Sequence, residues 1–247
     1  MTFRTRLEHG TYAFGRAQMW FYLRVLHGLQ VTGIEHVPKE GGVLIAGNHP
    51  SLLDPMAILV TAPRPVHFVT AEVMYTFPPL AWWLRGAGMI RVEREKGAAG
   101  AFMAAFHALS RGEVVGIFPH GRLVREYEKA VPKDGAIQLA ARAGVPIIPA
   151  YCEGTELPGR TLLSRIGKQM AIAYGEPYEV KLTRPELKDD AKVKAATWEL
   201  MRRIVGLKGI AKNLTQAAQY RPIAPFEHLI RTGDEHPGIW ESQAGIR

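Results

Sequence analysis

The sequence predicts an α/β fold: a largely parallel central sheet flanked by helices, preceded by an N-terminal amphipathic helix. Three observations carry this reading. After Gly33, short apolar runs alternate with longer segments of helical spacing, the pattern of strands joined by covering helices. Runs such as Val43-Leu44-Ile45-Ala46-Gly47 are continuously apolar, as buried strands are. The chain of 247 residues, 47% hydrophobic and 22% charged, is long enough for one large domain with a substantial core.

Residues 12–29 (YAFGRAQMWFYLRVLHGL) read as the leading helix, with Arg16 and Arg24 near one face. Its aromatic residues and flanking arginines suit an interfacial helix, with rings in the acyl boundary and guanidinium groups at lipid phosphates. The same pattern fits an amphipathic helix packed on its own domain. Strands are expected at Val43–Gly47, Val66–Thr70, Met89–Val92, Val114–Phe118, Val145–Tyr151 and Met170–Tyr174. Helices are expected at Pro55–Thr61, Val73–Leu84, Ala98–Ser110, Gly135–Ala143 and Glu186–Val205. From residue 208 to 247 the periodicity is lost, and Pro222, Pro225 and Pro237 predict an extended tail. The chain thus divides into a membrane-associating helix at 1–29, a main domain at 30–207 and a C-terminal extension at 208–247.

Composition narrows the function classes. A single cysteine, Cys152, excludes intramolecular disulfides and Cys-rich zinc patterns, and favours a cytoplasmic setting. No apolar stretch reaches the roughly 18 uncharged residues of a spanning helix, and no secretory signal is visible. The net charge of +8 calls for an anionic partner. Basic residues are scattered rather than blocked, which suits phosphate-bearing small molecules and an anionic membrane surface better than nucleic acid. His27, His67 and His107 show no metal-ligand spacing, so no metal is expected. Trp82 and Trp83 fit either an acyl-contacting surface or plain core.

The most informative stretch is Asn48-His49-Pro50-Ser51-Leu52-Leu53-Asp54, at the end of the first predicted strand. Open α/β sheets place their ligands at strand ends of this kind. A histidine held by a carboxylate can take a proton from a hydroxyl, the carboxylate fixing the tautomer. Extended, the segment would separate His49 from Asp54 by roughly 17 Å, so it must fold back. Pro50 and Ser51 are turn residues that allow this. Asp54 before Pro55 also fits a helix N-cap, and Ser51 with Asp54 fits a capping box. The two readings are compatible. Ser51 is read here as a turn and capping residue and no other serine nucleophile accompanies the pair, which suggests that the substrate supplies its own hydroxyl.

Two further strand ends carry polar residues. Phe118-Pro119-His120-Gly121-Arg122 closes one strand, and Gly88 through Arg94 contains another. Taken in order, these blocks resemble the glycerolipid acyltransferase family, typified by 1-acyl-glycerol-3-phosphate acyltransferase. Asn48, His49, Ser51 and Asp54 match its first block, Asn-His-x-Ser-x-x-Asp. Gly88 to Arg94 is similar to the second. Phe118 to Arg122 matches part of the third, Phe-Pro-Glu-Gly-Thr-Arg, and Val145-Pro146-Ile147-Ile148-Pro149 matches the fourth. The likeness spans roughly residues 30–180.

The resemblance implies a glycerol-3-phosphate acyltransferase-like fold and a direct transfer. His49 would act as general base and Asp54 would orient it. Asn48, Ser51, Arg94, Phe118, Pro119, His120, Gly121, Arg122 and Pro146 would bind substrate, with Arg94 on the acceptor phosphate. The acyl donor would be acyl-CoA or an acyl-carrier protein thioester, the acceptor a lysophospholipid, and no further cofactor is expected. The protein would sit peripherally on the inner face of the membrane. No Gly-x-Ser-x-Gly elbow occurs, in keeping with a mechanism lacking an acyl-enzyme. The third block departs from the family: His120 stands where the glutamate is expected. Either the acceptor preference has changed with it, or a turn residue has drifted. A non-catalytic lipid-binding homologue is the remaining alternative, and the intact His49 and Asp54 argue against it.

Overall fold

Val43–Gly47 is buried at every position and forms the middle of the sheet. The computed structural model describes residues 13–71, 75, 76, 78, 81, 84, 89–92, 97–124, 130–156 and 169–217. Its strands are β1 (Gln30–Thr32), β2 (Val43–Gly47), β3 (Val66–Ala71), β4 (Ile90–Val92), β5 (Val114–Ile117), β6 (Ile147–Glu153) and β7 (Ala171–Tyr174). They form one seven-stranded sheet in the order β1-β7-β6-β2-β5-β3-β4. Strands β2 to β6 run parallel, whereas β7 is antiparallel to β6 and β1 follows β7. The expected parallel sheet is present, with a reversed pair at one edge.

The helices are α1 (residues 13–26), α2 (Asp54–Thr61), α3 (Gly97–Ser110), α4 (Gly135–Ala143), α5 (Asp190–Gly206) and α6 (Lys208–Ala217). Because side chains alternate along a strand, β2 feeds both sides of the sheet. Val43 and Ile45 pack with Leu23 of α1 and Ala57 and Ile58 of α2. Leu44 and Ala46 face the other layer, built from Leu109 of α3, Ile137 of α4, Leu200 of α5 and Ala211 of α6. The sheet is therefore covered on both faces, as continuous apolar strands require.

Several expectations need correction. Pro146 and Pro149 argue for an edge or irregular strand, yet β6 lies between β2 and β7. Pro146 precedes the strand, which begins at Ile147. Pro149 accepts a bond from Gly175 N, just past the end of β7. The N–H and C=O of a strand residue point to the same side, so the missing donor faces a place where β7 has already ended. β1 is too short to leave a periodic signal. The helix expected at Glu186–Val205 splits into a 3-10 turn, Glu186–Lys188, and α5. The break is set by Asp189, whose side chain caps α5 by accepting from Ala191 N and Lys192 N at 3.0 and 3.2 Å. Residues 208–217, read as part of an extended tail, form α6, which packs Ala211 into the core. Most of the helix expected at Val73–Leu84, with Trp82 and Trp83, lies outside the described residues, as does the chain from 218 onward.

The first helix is present, but its arginines are occupied by the protein itself. Arg16 Nη2 donates to the carbonyls of Val60 and Ala62 at 3.2 and 2.8 Å, at the C-terminal end of α2, where unpaired carbonyls and the helix dipole favour a cation. Arg24 Nη1 donates to Leu29 O. Phe21–Leu26, the second half of α1, is wound as a π-helix with Leu23 buried. Arg16 thus fastens α1 to the end of α2, while Arg24 is tied to the turn that leaves its own helix.

Gly116 of β5 makes room for an aromatic ring on the sheet. A Cβ there would lie 2.2 Å from the ring of Phe68 on β3, so the bare backbone lets that ring lie flat. Gly116→Ala is expected to force the ring or the strand aside and to destabilise the protein by about 1–3 kcal/mol. Urea unfolding measures it, and an unchanged midpoint would mean that the ring moves freely.

Candidate active site

The exit from β2 folds back as the spacing demands. His49 Nδ1 lies 2.9 Å from Asp54 Oδ2. Asp54 has no exposed surface, while the His49 side chain is 14% exposed. The same Oδ2 accepts the Ser51 main-chain N–H at 2.7 Å, and Oδ1 accepts the Thr155 hydroxyl at 2.5 Å. Half of the expected capping box therefore forms. Asp54 is the first residue of α2 rather than its N-cap, a position taken by Leu53. The Ser51 hydroxyl is turned inward and accepts from Leu53 N at 3.2 Å.

Burial pushes the Asp54 carboxyl above its usual range, and the bonds from His49, Thr155 and the Ser51 N–H pull it back. An ionised carboxylate only accepts, so Nδ1 of His49 carries the proton. Its Nε2 is left with a lone pair and no partner among the described residues, in the tautomer that a general base requires. Cys152 lies close by on β6. Burial first, and then the Asp54 charge, holds its thiol well above the ordinary value, so it remains protonated and is a poor nucleophile.

Phe118, at the exit of β5, stacks on the His49 ring with centroids 3.9 Å apart and planes 9° from parallel. Phe68 continues the stack, 5.4 Å and 12° from Phe118. The row Gly116–Phe68–Phe118–His49 thus sets the plane of the imidazole, while Asp54 sets its rotation about that plane. Phe118 thus supports the His49 ring. Gly121, with φ 66°, closes a turn in which its N–H donates to Phe118 O at 2.8 Å. Val124 N then donates to His49 O at 2.8 Å, fastening the third block to the first.

His120 is buried within that loop. Its Nε2 donates to Ala130 O at 3.1 Å. Burial and the nearby Arg122 charge lower its pKa, against the pull of the Ala130 carbonyl. A neutral imidazole that ties down the loop adds no positive charge to the site. Pro119 is buried and its carbonyl accepts from Lys133 N at 2.9 Å. Arg122 is exposed beside them.

The predicted residues do not all converge. His49, Asp54, Ser51 and Phe118 meet. Asn48 is adjacent but occupied: its Nδ2 donates to Cys152 O at 2.8 Å and its Oδ1 accepts from Cys152 N at 2.7 Å. It clamps β2 to β6 and holds the strand exit in place. Pro146 is at the wrong end of the sheet. Its carbonyl accepts from Leu44 N at the start of β2, about 16 Å along the strand from His49. Arg94 lies outside the described residues. A groove of about 740 Å³, lined by residues including Tyr178, Lys192 and Arg203, also opens at the Ile147 end of β6, away from His49. Thr155 and the main chain of Cys152 were not foreseen. Both sit beyond a register, Gly47 opposite Ala150, that only the sheet reveals.

The chain is similar to several known proteins. The family model described as Acyltransferase matches residues 28–153. A Borreliella burgdorferi protein named 1-acyl-sn-glycerol-3-phosphate acyltransferase is 33% identical over 127 residues, 51% of each chain. The Bacillus subtilis protein of the same name is 28% identical over 167 residues, 67% of this chain and 81% of that one. The match thus spans about half of the first relative and most of the second. The crystal structure of the 1-acyl-sn-glycerophosphate acyltransferase from Thermotoga maritima superposes with a TM-score of 0.61 at 20% identity. The match covers 87% of this chain and 81% of that one, and it shows the fold.

Proposed function

The chain is a member of the acyltransferase family, and from that premise we propose that it moves a fatty-acyl group from an acyl thioester to the hydroxyl of a lysophospholipid. The observation that carries the reading is the 2.9 Å bond between His49 Nδ1 and a fully buried Asp54. Nε2 of His49 takes the acceptor's proton as the oxygen attacks the thioester carbonyl. The tetrahedral intermediate collapses with cleavage of the carbon–sulfur bond, and the imidazolium returns the proton to the departing thiolate. Asp54 stabilises the imidazolium between the two steps. General-base help of this kind contributes about two to four powers of ten, and the remainder comes from holding both substrates in line.

The acceptor is 1-acyl-glycerol-3-phosphate in this reading, in keeping with the names of the Borreliella and Bacillus relatives. Exposed Arg122 supplies a cation at the site for its phosphate, joined by Arg94 if the second block serves as the resemblance implies. The donor is acyl-CoA or an acyl-carrier protein. One observation favours a second reading, a different lyso-lipid or polar acceptor: the third block brings no carboxylate to the site, since His120 is turned to Ala130 O.

Membrane association rests on α1. Phe14, Trp20 and Phe21 are 61%, 49% and 52% exposed, although the helix is pinned to the domain by Arg16. Aromatic rings displayed on an anchored helix suit insertion at the lipid interface. No helix among the described residues is long and apolar enough to cross a membrane. A peripheral position at a membrane surface fits the displayed rings, and the resemblance implies the inner face.

Thiol release from long-chain acyl-CoA should depend on a lyso-acceptor and fall by about 10²–10⁴ in His49→Ala; undiminished turnover would remove His49 from the mechanism. Trp20→Glu combined with Phe21→Glu should reduce co-sedimentation with anionic vesicles while leaving the unfolding midpoint in place. Equal sedimentation of variant and parent would end the anchor reading.

A further inference from the structure

Thr155 belongs to none of the motif blocks, yet its hydroxyl reaches Asp54 Oδ1 across 101 residues of chain. Both residues are fully buried. Gly154, with φ 71°, makes the turn that brings Thr155 there. A Cβ on Gly154 would lie 2.1 Å from the Gln169 carbonyl oxygen, so this turn is packed tightly against the segment that enters β7. The hydroxyl is therefore delivered by rigid backbone and is no casual neighbour.

The two carboxylate oxygens of Asp54 have different duties. Oδ2 accepts from His49 and from the Ser51 N–H. Oδ1 faces away from the imidazole and accepts from Thr155. Without that donor a bare anionic oxygen would sit in an apolar interior, a costly arrangement. It would be relieved by protonation of the carboxyl or by its rotation, and either would weaken the hold on His49. We infer that Thr155 is a positioning residue for acyl transfer, its hydroxyl keeping Asp54 ionised and aimed at His49 Nδ1. The inference rests on the acyl-transfer reading of this site.

Among the described residues, few other charges compete for this role. From the β2–α2 turn comes His49 itself, and from β6 comes Cys152, which stays protonated beside the carboxylate. Tyr174 of β7 directs its hydroxyl to Thr61, 2.7 Å away on α2. Thr155 is thus the side-chain donor on Asp54 that does not itself titrate in the working range.

The test is the pH dependence of kcat/KM for acceptor-dependent thiol release in the parent, Thr155→Val and Thr155→Ser. Removing a donor makes Asp54 bind a proton more tightly, so the carboxylate that holds His49 is neutralised at higher pH. The acid limb in Thr155→Val should move up by about one unit, the equivalent of a hydrogen bond worth about 1.4 kcal/mol. kcat should fall about tenfold or more with little change in acceptor KM, and serine should restore both limb and rate. In an Asp54→Asn background the same change should lower the residual rate no further. If the valine variant does not fold, Thr155→Ala is read in the same way. An unmoved acid limb, a serine variant as impaired as the valine one, or additive losses with Asp54→Asn would overturn the inference. Absence of thiol release from the parent would instead overturn the acyl-transfer reading.

Discussion

A carboxylate with no access to water must find its hydrogen bonds within the protein, and Asp54 imposes that demand on everything around it. Its donors come from a ring nitrogen, a main-chain N–H and a hydroxyl in two distant parts of the chain. They meet because β2 and β6 are neighbours in register, Gly47 opposite Ala150, so the loops that leave the two strands emerge side by side. Asn48 locks that arrangement by bonding both main-chain groups of Cys152. The parallel pairing of the central strands is thus what turns a seven-residue motif into a site.

The second constraint on the His49 ring is aromatic. Phe118 fixes the plane of the imidazole and Phe68 supports Phe118, on a strand surface left bare by Gly116. The third block therefore acts at the centre through its first residue. Its histidine has a separate duty, bonding Ala130 O and closing the loop. Held there, the buried imidazole, its pKa lowered by burial, does not make the site more positive. It leaves Arg122 as the block's exposed cation.

Much of this was legible in the residues because it is local. Continuous apolar runs gave the central strands, and the turn residues Pro50 and Ser51 made the return from His49 to Asp54 foreseeable. What stayed hidden is what the sheet brings together. Thr155 has no distinctive spacing, and Asn48 reads as a ligand residue until its amide is found on Cys152. Pro149 reads as a mark against a central strand until β7 is seen to stop short of it. Arg16 and Arg24 on an aromatic helix look like lipid contacts, and only tertiary packing shows them spent on carbonyls. Apolar periodicity reports burial, whereas the partner of a polar side chain is a property of topology.

The central claim is that Asp54 holds the proton of neutral His49 on Nδ1 and so frees Nε2 to act as a base. Nitrogen chemical shifts of the His49 ring, followed by NMR above its titration, measure this directly. The account requires a protonated Nδ1 and an unprotonated Nε2 in the parent, and loss of that preference in Asp54→Asn. A proton found on Nε2 in the parent, or a tautomer indifferent to Asp54, would contradict it.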